Sequence, residues 1–169
     1  MLNERYRTTP NKALVSWSVV GQLLREAWAL ADRETVSVVI DRQGGRLYYE
    51  AALAEALGAA DPGGARVQVH TEVEQPALCL YVAEAGARRM RITVRVEADR
   101  TSLVVAAASI LAKYWRELLM ARMAGYFAAH GCEARPTAGY YGDARRFLRE
   151  TAQLRRALGI DDNELVRQR

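Results

Sequence analysis

Hydrophobic and polar residues alternate along this chain with two different periods, and the switches between them mark out its elements. From Asn11 to Ala31, the residues Trp17, Val20, Leu24, Ala27 and Ala31 recur at helical spacing. NKALVSWSVVGQLLREAWALA therefore predicts an amphipathic helix, with Trp17 and Trp28 as core anchors. The β-branched run TVSVVI, Thr35 to Ile40, follows directly and predicts a short buried strand of the parallel kind that ends at Asp41. Next come the turn DRQGG, a helix in YYEAALAEALG stopped by Gly58, and the loop DPGG. ARVQVHTEV and ALCLYVAEAGARRMRITVRVEA read as strands, the last two joined at Gly86 into a hairpin whose exposed arginines suit a solvated edge.

The longest apolar pattern runs from Ser102 to Phe127 and predicts a buried helix. Near its start stands AAASILAK, Ala106 to Lys113, whose small residues let a helix approach a neighbour closely. A step of four residues advances about 40° around a helix, so Ser109, Lys113 and Glu117 lie along one side. An ion pair between Lys113 and Glu117 accounts for them as simply as a functional site does. HGCEARPTAGYYG is then a loop, and DARRFLRETAQLRRALG a final helix with Asp143 as N-cap and Gly159 as its stop. Its core face is Ala144, Phe147, Leu148, Thr151, Leu154 and Leu158. Arg145, Arg146, Arg149 and Arg156 fall largely opposite, as a solvated face or as a place for a duplex backbone to dock.

Strands alternating with helices predict an α/β fold, and 169 residues without repeat or linker predict a single domain over 1–169. Lys113 and Arg116 interrupt the longest apolar run before it reaches the roughly 18 residues of a membrane span, so no membrane partner is expected. Formal charge is +4, a modest lean toward anionic partners. Two cysteines, Cys79 and Cys132, without CxxC spacing, point to free thiols in a reducing compartment, the cytoplasm, with core filling as their plain role. His70 and His130 are isolated. A Gly-rich phosphate loop, a nucleophile elbow and a His/Cys cluster are all missing, which leaves a small-molecule enzyme with least support. Asp41 closes a strand where open α/β sheets place ligands, and it equally opens a turn.

EADRTSLVVAAASILAKYWRELLM resembles the motif of type II ribonuclease H, in which a Gly-Asp-X-Lys-Ser strand end leads to Ala-Ala-Ala-Ser-Ile-hydrophobic-Ala-Lys, then Arg and an acid. Asp99, Ser102, Ala106, Ala107, Ala108, Ser109, Ile110, Ala112, Lys113 and Arg116 match it in register. Glu117 falls where that family usually has its last catalytic aspartate. Upstream, the helix from Asn11 and the strand VVIDRQGG are similar to the family's Asn-Ile helix and its strand ending in Asp-Gly. Asp41 then stands at the third catalytic acid and Arg42 in place of the glycine. Downstream, TAGYYGDARRFL is similar to the Gly-Tyr-Gly-Thr loop, with Tyr140 at the tyrosine that senses the ribose beside the scissile phosphate. The segment from Ala59 to Met90 has no such counterpart.

The resemblance implies a ribonuclease-H-like fold, a mixed central β-sheet flanked by α-helices, here with an extra β-hairpin. It implies a metal-dependent endonuclease that uses Mg2+ or Mn2+ to cut the RNA strand of RNA–DNA hybrids. It makes Asp41 and Glu117 the catalytic and metal-binding acids, and Ser109, Lys113, Tyr140, Arg145 and Arg146 substrate-binding residues. The family's opening Asp-Glu-Ala-Gly-Arg-Gly strand, with its first two acids, does not occur in this sequence. Two ions held close together need several carboxylates. The expectation is therefore a domain that binds RNA–DNA hybrid or duplex nucleic acid and cuts weakly or not at all as this chain alone. A missing N-terminal segment or a partner chain would supply the rest. The alternative is a non-catalytic structural or interaction domain derived from that fold. Either way, the strand from Thr35 is left with an unsatisfied edge unless the hairpin or another chain covers it.

Overall fold

A computed structural model describes residues 11–31, 35–58 and 61–165. The chain divides into two compact units, Met1–Ala107 and Ala108–Arg169.

The first unit opens with α1, Lys12–Ala29, whose N-cap Asn11 accepts hydrogen bonds from the Ala13 and Leu14 N–H groups at 2.9 and 3.4 Å. This satisfies two of the amides that a helix start leaves without partners. Strand β1, Val36–Asp41, and helix α2, Glu50–Leu57, follow, then β2, Gln68–Glu74, β3, Leu78–Ala85, and β4, Arg88–Arg95. A short 3-10 turn, Ala98–Arg100, leads to α3, Leu103–Ala129, which crosses the boundary between the units.

The four strands form one sheet in the order β1-β4-β3-β2. β1 runs parallel to β4, from Val36 opposite Met90 to Asp41 opposite Arg95. β4 and β3 are the arms of the predicted hairpin, which turns at Gly86 with φ +60°, a left-handed conformation that glycine adopts without strain. β2 adds to β3, antiparallel, with an irregularity between Thr71 and Val73.

Alternation along these strands sends Cys79, Tyr81 and Ala83 of β3 and Met90, Ile92 and Val94 of β4 to one face. There they meet Trp17, Leu24 and Trp28 of α1, Leu53 and Leu57 of α2, and Tyr49. Trp28, Leu53, Leu57, Tyr81, Met90 and Ile92 are fully buried. Each such side chain contributes about 1.5–3 kcal/mol relative to exposure, so this cluster dominates the unit's stability. The predicted α1 face and both tryptophan anchors are therefore as the sequence implies.

Several expectations change. The hairpin is no appendage: β4 lies inside the sheet, so its arginines mark a sheet face rather than an edge, with Arg89 and Arg91 exposed and Arg95 half-buried. β1, read as a buried strand, is instead an edge, because the hairpin extends the sheet on the far side of β4. Among the described strands β1 pairs only with β4, and its residues are half-buried or exposed.

The third concerns the long helix. In the second unit α3 is joined by α4, Tyr141–Glu150, α5, Ala152–Ala157, and α6, Asp162–Leu165. Phe127 of α3 and Phe147 of α4 meet edge to face, 5.3 Å between centroids. Phe127 is the one buried residue of α3, while Ile110, Leu111, Trp115 and Leu119 are exposed. α3 is apolar round most of its circumference, and contact along one line leaves the remainder uncovered. The predicted final helix is broken at Thr151, whose hydroxyl donates to the Phe147 carbonyl at 2.8 Å. Arg155, outside the predicted core face, is 6% exposed and binds Thr151 Oγ1, the Leu148 carbonyl and Asp162. None of the described helices is long and apolar enough to cross a membrane.

Tyr81 ties sheet to helix: its hydroxyl donates to Glu74 at 2.9 Å and accepts from the Tyr49 N–H at 3.0 Å, just before α2. Burial above all raises the phenol's pKa. Tyr81→Phe is expected to cost about 1–3 kcal/mol in urea unfolding, because it leaves the Tyr49 amide buried without its acceptor. An unchanged midpoint would show that the tie carries no stability.

Candidate functional site

Asp41 ends β1 in the first unit, exposed, with Arg95 opposite it on β4. Its Oδ1 accepts from the Ala98 N–H at 3.0 Å and from the Arg42 N–H at 3.1 Å. The carboxylate therefore holds the 3-10 turn that precedes α3, a role the local reading as a turn-opening aspartate came near. Arg42, where the resembling family has glycine, folds back over the turn and donates to the carbonyls of Arg46, at 2.9 Å, and Pro76.

The other candidates lie in the second unit. On α3, Ser109 is half-buried, Lys113 is exposed, and Ala107 and Ala108 at the motif's start are exposed. Glu117 is exposed and forms its ion pair with the adjacent Arg116, at 3.7 Å, rather than with Lys113. Ser109, Lys113 and Glu117 share a side of the helix as their spacing requires, with Lys113 and Glu117 open to solvent.

Tyr140 belongs to a loop held from several directions. Thr137 Oγ1 accepts from the Gly139 N–H at 3.0 Å, and Asp143 Oδ2 accepts from the Ala138 N–H at 2.7 Å. Asp143 was predicted as the N-cap of this helix. Tyr140 occupies that position instead, without a side-chain cap bond, and the Asp143 carboxylate in the first turn reaches back into the loop. Arg146 gathers the segment, donating to Asp143 Oδ1 at 2.6 Å, to Glu150 at 2.5 Å, and to the carbonyls of Arg135 and Pro136 at 3.1 and 2.9 Å. Its donors are thus engaged inside the loop and helix. Arg145 stays exposed, with its guanidinium 5.6 Å from the Tyr141 ring centroid. Gly139 has φ +79°, a backbone conformation that favours glycine, and a Cβ there would come within 3.2 Å of Met120 Sδ, so that a side chain would be strained and would press on α3.

This loop brings Tyr140 to Arg116. The guanidinium Nη1 donates to the Tyr140 hydroxyl at 2.6 Å, and the charged carbon sits 4.9 Å from the ring centroid. Arg116 was recognised in the sequence only as a register match. Its place one residue before Glu117 was the available signal, but its contact across 24 residues required the fold.

Asp41 and Glu117 belong to different units, and among the described residues no three His, Cys, Asp or Glu side chains gather as a metal site. A pair of divalent ions needs several carboxylates in common reach. Within either unit, the described residues gather no such set.

In comparison with known proteins, the family model for ribonuclease HII matches residues 52–162. The match contains the AAASILAK register, Glu117, Tyr140, Arg145 and Arg146, and it spans the hairpin. It begins beyond Asp41 and does not reach α1 or β1. No curated protein and no solved structure matches significantly.

Two outcomes follow from this geometry. The Arg146 hydrogen bond, then those from Ala138 and Thr137, lower the Asp143 pKa from its ordinary 3.8 to about 2. Below 3.8 the unfolded chain therefore takes up this proton before the folded one does, and stability falls as pH drops from about 4 toward 2. Comparing urea midpoints of the wild type and Asp143→Asn from pH 6 to pH 2 should show their difference shrinking over that window. A constant difference would contradict the assignment. Separately, Asp41→Ala should cost about 1 kcal/mol by removing the acceptor that Ala98 uses, and Asp41→Asn much less because it keeps an amide oxygen there.

Proposed function

Because the chain belongs to the ribonuclease HII family, we propose that it acts as one domain that binds RNA–DNA hybrid or duplex nucleic acid, in the cytoplasm where Cys79 and Cys132 stay reduced. The observation that carries this reading is the family match running through AAASILAK and Tyr140. The family implies ribonuclease-H-type hydrolysis of the RNA strand, supported by Mg2+ or Mn2+. Asp41 and Glu117 are the acids this chain would contribute. Ser109, Lys113, Tyr140, Arg145 and Arg146 are its substrate-facing residues, with Arg146 acting mainly through the loop it holds.

What the residues of this chain do is then bind and orient. Exposed Lys113 and Arg145 offer charge to phosphates, and the Tyr140 hydroxyl offers a single polar contact at a fixed place. Cutting requires further carboxylates, from another segment or a partner chain. Among the described residues no strand pairs with the outer side of β1, so its backbone offers such a segment a row of groups to join, directly beside Asp41. Arg42 in place of the family's glycine and Glu117 in place of its aspartate support weak or absent cleavage by this chain alone.

The test is binding of a fluorescent RNA–DNA hybrid across a salt titration, with Mg2+ or Mn2+ added and cleavage read on the same samples. Affinity should fall with salt, the logarithmic slope being about −0.9 for each phosphate neutralised, and Arg145→Ala should make the slope shallower. Absence of binding at low salt would leave the non-catalytic interaction reading in its place. Cleavage that Asp41→Asn abolishes would show that this chain completes its own site.

A further inference from the structure

In the second unit α3 packs on one side only. Phe127 meets Phe147, and Met120 lies where a Cβ on Gly139 would touch it, so this side faces the loop and α4. Leu111 and Leu118 point about 160–180° away from Met120 around the helix. Ile110, Tyr114, Trp115 and Leu119 flank them, all exposed and all within the second unit. Tyr114 and Trp115 are 58% and 66% exposed, so covering both removes about 250 Å² from water. With the four aliphatic neighbours the face approaches the roughly 800 Å² that each partner of a stable interface contributes. Contiguous apolar surface of this extent marks an interaction site.

The face is uneven along its length. Its first half carries the bulk, Ile110, Leu111, Tyr114 and Trp115, whereas its second half carries Ala121, the exposed Arg122 and Gly125. Gly125 answers no need inside its own chain: among the described residues a Cβ there would meet no atom within 4 Å. A glycine inside a helix destabilises it relative to alanine, so the gap it leaves stands unexplained by the single chain.

We propose that this face docks a second copy of the chain, with the two α3 helices antiparallel about a two-fold axis at Leu118. Pairing about that residue sets Leu111 opposite Gly125 of the partner and Trp115 opposite Ala121, so the bulky half of each helix fills the shallow half of the other. It also sets Tyr114 opposite Arg122, a guanidinium against an aromatic ring. The two-fold makes each contact twice. A parallel pair brings bulk against bulk at one end and leaves a gap between two glycines at the other. Ser109 and Lys113 lie about 160° round the helix from Leu111, so docking leaves the candidate ligand side open.

Sedimentation velocity of the full chain across a concentration series tests this. A dimer is expected below about 100 μM, a weak affinity for an interface of this size. Gly125→Leu is expected to weaken it about tenfold or more, since the added side chain overfills the seam in two places. The same substitution meets open space in a lone chain, so helix content and urea midpoint should hold or rise, which separates lost docking from lost folding. Leu111→Ala should weaken the dimer by a similar factor through the cavity it leaves. The double variant Leu111→Ala/Gly125→Leu should recover affinity toward the wild type, because large and small exchange places across the seam. A chain that stays monomeric through the whole series overturns the proposal, as does a species larger than a dimer. So does a dimer that Gly125→Leu leaves intact or strengthens, or a double variant no tighter than either single one.

Discussion

The parallel ladder between β1 and β4 is the constraint on which the first unit depends. It joins segments about fifty residues apart and fixes which residues of each strand face the helices. Val36, Val38 and Ile40 fall on the same side as Met90, Ile92 and Val94 because the register pairs them in step, and a slip of one residue would reverse every one of them. The same register sets Asp41 opposite Arg95 and within reach of the Ala98 amide. The ladder is one-sided: the hairpin extends the sheet away from β1, so the strand that carries the candidate acid is also the strand whose outer backbone is unpaired among the described residues.

The second unit solves a different problem, how to hold an irregular loop still. A loop of this composition has few apolar side chains to pack, so its order comes from polar contacts. Asp143 and Arg146 sit three residues apart in the first turns of α4, where their side chains meet, and together they bind loop groups on both sides. Hydrogen bonding, chiefly to Arg146, explains why the Asp143 pKa is so low. One consequence is that a residue that looks like a free surface cation, Arg146, is consumed by structure, while its neighbour Arg145 remains available to solvent.

Much of the fold was legible in the sequence. The spacing of Trp17, Val20, Leu24 and Ala27 predicts α1, Gly86 predicts the hairpin, and the β-branched run before Asp41 predicts a strand paired in parallel. The misread burial of α3 and of the β4 arginines shares one cause. Periodicity says which residues of a strand or helix share a face, but not whether anything covers that face. The apolar circumference of α3 therefore read as buried, and the arginines of β4 read as an edge. The family's motif also stood in the residues themselves, since AAASILAK and the Tyr140 loop need no structure to be seen.

The sequence by itself determined the elements, the motif register and the candidate residues, because local spacing and residue chemistry are properties of neighbours along the chain. Strand order, the hydrogen-bond partners of Asp41, the commitment of Arg146 to its loop and the meeting of Arg116 with Tyr140 were decided by tertiary structure alone. Each of these depends on which distant backbone or side chain arrives within about 3 Å, and that distance is set by packing and register that no local pattern encodes.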